Sequence, residues 1–129
     1  MKLIRFHENA EHVTRFQQRT VAFPQSHTNA GHTFQLSAAF TADAIMAELP
    51  VGLDQDWHVA PARQFVIVLS GLLEVETNDG ETRHWSAGGM FMADDTRGQG
   101  HRTRVLEGPV RLMFLRVAPD FDPNLIAPA

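Results

Sequence analysis

The sequence predicts an all-β domain, a small closed or two-sheet structure. Three observations predict it. From Thr33 onward, short alternating or apolar segments recur at intervals of roughly ten residues, bounded by Gly, Pro, Asn and Asp. Asn78-Asp79-Gly80 stands between two alternating segments, and those residues tolerate the positive φ of tight hairpin turns. No long helical pattern interrupts the segments, so a βαβ unit has no room.

Taken in order, residues 1–32 form an N-terminal arm, in which 8–18 read as one short helix or an extended stretch. The barrel proper spans 33–117. Its segments are 33–40, 44–49, 57–60, 64–69, 72–77, 81–85, 90–93, 101–106 and 110–117. Pro50-Val51-Gly52 breaks the second segment, and Ser70-Gly71 and Gly108-Pro109 read as turns. The tail, 118–129, is too proline-rich for a central strand.

Composition narrows the function. The 129 residues suit one domain, with 43% apolar and 20% charged residues. There is no cysteine, which excludes disulfides, thiolate zinc sites and thiol nucleophiles. The net charge of −4 argues against nucleic acid as a partner, because phosphate binding needs a cationic face. The start has no apolar stretch of signal-peptide length, and the longest strictly aliphatic or aromatic run, 65–69, is too short to span a bilayer. The expectation is a soluble, cytoplasmic protein that binds neither membrane nor nucleic acid. Seven histidines are the informative excess, since imidazole is both the commonest metal ligand and the acid–base group of neutral pH.

One stretch carries more than propensity. Gly52 is followed after five residues by His58, then one residue on by Ala60, then after three residues by Gln64 and after six by Gly71. Downstream, Gly98-Gln-Gly100-His101 keeps a Gly-x-x-His spacing, with Thr96 upstream. This resembles the two motifs of the cupin superfamily: Gly, five residues, His-x-His, three or four residues, Glu, six residues, Gly; and Pro-x-Gly-x-x-His. Thr96 stands where proline is usual.

The resemblance implies a double-stranded β-helix, or jelly-roll, with a cavity between its sheets. In metal-bearing cupins, three histidines and a glutamate hold iron, manganese, nickel or zinc there. Here His58 and His101 match the first and last histidines, while Ala60 and Gln64 replace the second histidine and the glutamate. The implied divalent-metal site is therefore weak or degenerate: His58, Gln64 and His101. A neutral amide cannot supply the negative charge that a divalent cation favours. Asp54, Asp56, Asp94 and Asp95 are the carboxylates close enough in sequence to complete it. Without a metal, no cofactor is implied. Small cupins are often dimers, and Met1–Phe6, alternating Leu3/Arg5 with Ile4/Phe6, reads as an arm covering a partner's sheet edge in a homodimer.

Strand alternation extends the site, since side chains two apart share a face. Val66 and Val68 follow Gln64 inward, while Phe65, Ile67 and Leu69 face away. Thr103 follows His101, while Arg102 and Arg104 face away. Val110, Leu112, Phe114 and Arg116 share one face. The ligand-binding candidates are His58, Gln64, His101, Trp57, Val66 and Thr103. Trp57 fits an aromatic cap on the sheet as well as a pocket wall. Arg63 reads as a surface salt bridge, His27 and His32 as loop histidines, and His84 as an outside candidate for the cavity. Asp94-Asp95-Thr96 reads as a turn organised by short acceptors. Three functions stay open: a small-molecule-binding module; a metal-dependent dioxygenase, isomerase or decarboxylase acting on a small organic acid or sugar-like substrate; and a metal-free enzyme with His101 as general base.

Overall fold

The computed structural model describes residues 1–128, with side chains to residue 126; the last residue of the predicted tail lies outside the described residues. Eleven strands follow one another among the described residues. They are β1 (Lys2–Glu8), β2 (Thr14–Val21), β3 (Gln25–Asn29), β4 (His32–Leu36), β5 (Ala42–Leu49) and β6 (Asp54–His58). Then come β7 (Gln64–Glu76), β8 (Thr82–Trp85), β9 (Met90–Asp94), β10 (His101–Val117) and β11 (Ile126–Pro128), the last preceded by a short 3₁₀ turn, Pro123–Leu125. No helix among the described residues is long and apolar enough to cross a membrane.

Nine strands form one sheet in the order β11-β2-β1-β9-β7-β10-β5, with β6 pairing β10 and β8 pairing β7. The β1–β9 pair is parallel, and the other pairs are antiparallel. The sheet folds over because its two long strands change partners along their length. β7 pairs β9 through residues 64–67 and β8 through 73–76. β10 pairs β6 near its start and β5 through 110–117.

Ser70-Gly71 is therefore not a reversal between two strands, nor is Gly108-Pro109. Each lies inside one continuous strand where the β7–β10 register shifts. Gly71 has φ +86°, and a Cβ there would stand 2.7 Å from the carbonyl oxygens of both Glu107 and Pro109. The glycine marks a close crossing of backbones, which its sequence signature does not separate from a turn. The Asn78-Asp79-Gly80 hairpin does form: Thr77 Oγ1 donates to Asp79 Oδ1 at 2.7 Å, and Thr77 N–H to Glu81 O at 3.0 Å.

The N-terminal region departs most from expectation. Residues 8–18 form no helix; after a tight turn at Asn9, whose Oδ1 accepts from the Glu11 and Val13 N–H groups, they enter β2. The alternating pattern of Thr14, Phe16 and Thr20 favours a strand there. β1 is hydrogen-bonded on both edges within its own chain, to β2 and β9, so Met1–Phe6 is an interior strand of the sheet and not a free arm. β3 and β4 form a separate hairpin whose residues are all exposed.

Alternation sorts the apolar residues into two clusters. Phe6, Val66, Val68, Leu73, Val75, Phe91, Val105, Val110 and Leu112 fill the inside of the fold. Leu3, Val21, Phe65 and Met92 face away and are covered by Phe121, Leu125 and Ile126 of the tail. Full burial of such side chains contributes roughly 1.5–3 kcal/mol each. The tail thus seals one outer face, and β11 sits at the sheet edge, where proline is tolerated.

Candidate functional site

The inner face leaves a cavity of about 260 Å³. Its walls are largely apolar, built from Phe6, Val66, Leu73, Phe91, Leu112 and Phe114. The polar groups facing it are Gln55 and His58 from β6, Gln64 from β7, and His101, Thr103 and Arg116 from β10. Register explains how they meet. His58 pairs with His101 across β6 and β10, and Gln64 pairs with Arg116 across β7 and β10, so each pair leaves the same side of the sheet.

The two imidazoles lie 4.3 Å apart, centroid to centroid, and Phe6 packs on His101 at 4.7 Å. His58 Nδ1 is 2.7 Å from the Asp56 carbonyl oxygen, so this nitrogen carries the proton and donates it. Burial pushes the His58 pKa below its ordinary value; neighbouring His101 adds to the fall, against opposing contributions from the Asp56 hydrogen bond and Asp95. His101 is nearly closed off from solvent, and its Nδ1 lies 2.5 Å from Oδ2 of Asp95, which is fully buried. The carboxylate fixes the imidazole's orientation and leaves Nε2 for the cavity. Gly100 makes this corner possible. Its φ is +77°, and a Cβ at that position would run into the carbonyl of His58.

No protein-family model matches the chain, and no curated protein does. Among solved structures, it is similar to the Cnp3 cupin domain of Schizosaccharomyces pombe, with a TM-score of 0.50 and 14% identity over 96% of this chain and 87% of that one. The chain has the cupin fold. Two further likenesses are an RmlC-like cupin from Shewanella frigidimarina (TM-score 0.47, 15% identity, 91% and 86% of the two chains) and KdgF from Halomonas sp. (0.44, 22%, 89% and 88%).

Measured against the cupin ligand pattern, the donors fall short of a metal centre. Among the described residues no group of three His, Cys, Asp or Glu side chains is placed to hold a metal ion. Of the four candidate aspartates, Asp54 pairs with Arg102 and Arg104, and Asp94 with Arg5 and Arg63. Asp56 turns back to its neighbour's N–H, on Trp57. Asp95 alone reaches the site, and it is engaged on His101 from behind. What faces the cavity is two imidazoles and a neutral amide, whose Oε1 is buried without a hydrogen-bond partner.

Of the ligand-binding candidates, the cavity brings together His58, Gln64, His101, Val66 and Thr103. Trp57 is not among them: it alternates outward from His58 and is 41% exposed. Arg102 and Arg104 turn outward onto acidic partners, as alternation requires, and Arg63 makes its surface salt bridge with Asp94. His84 lies outside, exposed and 2.6 Å from Glu74, and His27 and His32 are on the exposed hairpin. Sequence reasoning missed two contributors. Phe6 comes from the segment read as an arm. Gln55, which faces the cavity from β6, was not singled out either; Asp95 was one of the four candidate carboxylates, but its place behind His101 was not foreseen.

Proposed function

We propose that the cavity of this cupin-fold domain binds a small organic molecule, held by the polar cluster of His58, Gln64 and His101 against apolar walls. The observation that carries this reading is the cavity itself: an apolar space with a few convergent polar groups is how small-molecule sites are built. Its volume equals roughly nine waters at ~30 Å³ each, which suits a metabolite and not a peptide or lipid chain. This reading needs no metal: the polar groups on which it rests are two imidazoles and a neutral amide. The test is a thermal-shift and calorimetric screen of small metabolites against the wild type and His101→Ala. Binding lost in the variant supports the reading; binding that His101→Ala leaves unchanged places the ligand elsewhere and refutes it.

A second reading is favoured by one observation, the Asp95–His101 hydrogen bond. An imidazole oriented by a buried carboxylate, with its other nitrogen toward a ligand cavity, has the arrangement of a general base. Under that reading His101 Nε2 removes a proton from the bound molecule while Asp95 stabilises the resulting imidazolium. Exchange of ligand C–H protons with deuterated solvent, present in the wild type and absent in Asp95→Asn and His101→Ala, distinguishes catalysis from simple binding.

A further inference from the structure

We infer that the ligand is a small hydroxycarboxylate, its carboxylate held by Arg116 and its hydroxyl by Gln64; this rests on the reading of the cavity as a small-molecule site. Arg116 ends the β10 face that also carries Leu112 and Phe114 into the cavity. Arg5, Arg15, Arg63, Arg83, Arg102, Arg104 and Arg111 each have a carboxylate within ion-pair distance. Arg116, like Arg19 and Arg97, makes no ion pair among the described residues, but it alone of the three lines the cavity, and it makes no side-chain hydrogen bond there; its Nε, like those of Arg5 and Arg19, is buried without a partner. Asp43, opposite it on β5, is exposed and forms no ion pair with it. Arg116 is half-buried beside apolar walls, and with no internal carboxylate on it the guanidinium is free to take an anion. Its planar fork matches a carboxylate bidentately.

Gln64 supplies the second half. It stands directly opposite Arg116 on β7, is 5% exposed, and keeps Oε1 buried with no donor. An acceptor without a donor beside a donor without an acceptor is satisfied by one molecule carrying both a carboxylate and a hydroxyl. The charges agree with this polarity. Among the described residues no carboxylate lines the cavity, and Asp95, which lies behind His101, is engaged on it through Oδ2. The apolar walls then enclose a short carbon skeleton.

Calorimetry with a panel of three- to six-carbon 2- and 3-hydroxy acids, their deoxy acids and their primary amides tests the assignment. We expect at least one hydroxy acid to bind the wild type. Its amide and its binding to Arg116→Met should each be weaker by about ten-fold or more, the scale of a lost charge-assisted contact. The deoxy acid should bind several-fold more weakly than the hydroxy acid to the wild type, a difference that Gln64→Leu abolishes. Arg116→Lys, which keeps the charge without the fork, should fall between and serves if Arg116→Met does not fold. Neutral or cationic molecules binding equally to the wild type and Arg116→Met would overturn this inference while leaving the cavity a binding site. No binding by the hydroxy acids, with other molecules bound through His101, would overturn it as well. Failure of every small molecule to bind would remove the proposed function itself.

Discussion

His58 and His101 are held with their rings 4.3 Å apart, on paired positions of β6 and β10, and each is anchored through Nδ1 to a different acceptor. Two imidazoles this close in a half-dry cavity do not both take a proton readily. Burial already holds His58 below its ordinary pKa, and its neighbour adds to that.

Stability should therefore fall as the medium is acidified. In the unfolded chain His58 titrates near ~6.5, and in the fold its value is lower. Between the two, the unfolded state binds the extra proton, so stability is full above ~6.5 and is lost as pH falls through the folded value. His7, lowered by burial and by Arg5, acts with the same sign. Melting temperatures across pH 5–7.5 should drop toward the acid end, and less so in His58→Gln. An unchanged slope in both His58→Gln and His7→Gln would refute the assignment.

Asp95→Ala should destabilise the fold, because it strips a buried partner from His101. The expected loss is roughly 1.5–3 kcal/mol, the range for hydrogen bonds to charged groups. Urea titration of the wild type and the variant measures it. A loss no larger than that of an exposed control such as Asp120→Ala would mean the contact contributes little.

Gly100→Ala should be destabilising for a different reason. The positive φ alone costs about 1–3 kcal/mol in a non-glycine residue, and the new Cβ must displace the backbone at His58. The His58 and His101 ring signals in NMR spectra should shift with it. Native-like ring shifts together with an unchanged melting temperature would contradict the close approach.

The incomplete donor set predicts how a metal centre could be restored. Ala60 is buried and lines the cavity beside Gln64 and the two histidines. Ala60→His with Gln64→Glu supplies the missing imidazole and negative charge. Divalent-metal affinity should rise by about ten-fold or more over the wild type, one charge contributing on the order of 1.4 kcal/mol in a solvated cavity. Chelators should leave the wild-type melting temperature unchanged and lower that of the double variant. If the double variant gains no affinity for nickel or zinc, these four positions do not converge on one point.

The β3–β4 hairpin is the segment expected to mediate self-association. A lone two-stranded hairpin is marginal in water, yet this one carries exposed Phe34 and Leu36. Light scattering should report a dimer for the full chain and a monomer when both residues are changed to serine. A monomer of 14.4 kDa in the wild type would reject this.

The central strands were legible because burial on one face writes itself as alternation. Gln64, Val66 and Val68 inward, and His101 and Thr103 inward with Arg102 and Arg104 outward, all follow from period two. The resemblance to the cupin motifs then implied that His58, Gln64 and His101 meet at one cavity, where the structure places them. The bends at Gly71 and Gly108 were not separable from turns, because glycine serves a sharp reversal and a crowded crossing equally well. β1 was misassigned for a related reason: its alternation says that it pairs, not with which chain. Asp95 could not be told from Asp54, Asp56 and Asp94 in the sequence, because short acidic residues before a glycine pair usually serve the local backbone, and only the tertiary path brings its carboxylate beneath His101.

β10 carries His101 near one end and Arg116 near the other, on a single uninterrupted strand. The separation between imidazole and guanidinium is thus set by how β10 bends at the irregular stretch between them, which brings both ends to one cavity. Point substitutions in the walls can change the width of what fits, but they leave its length almost untouched. To accept a longer or shorter molecule, the chain would have to gain or lose residues at the irregular stretch between Val105 and Arg111, where the register already slips. Insertions and deletions there, more than changes in the walls, are the route by which a barrel of this plan would change its choice of ligand.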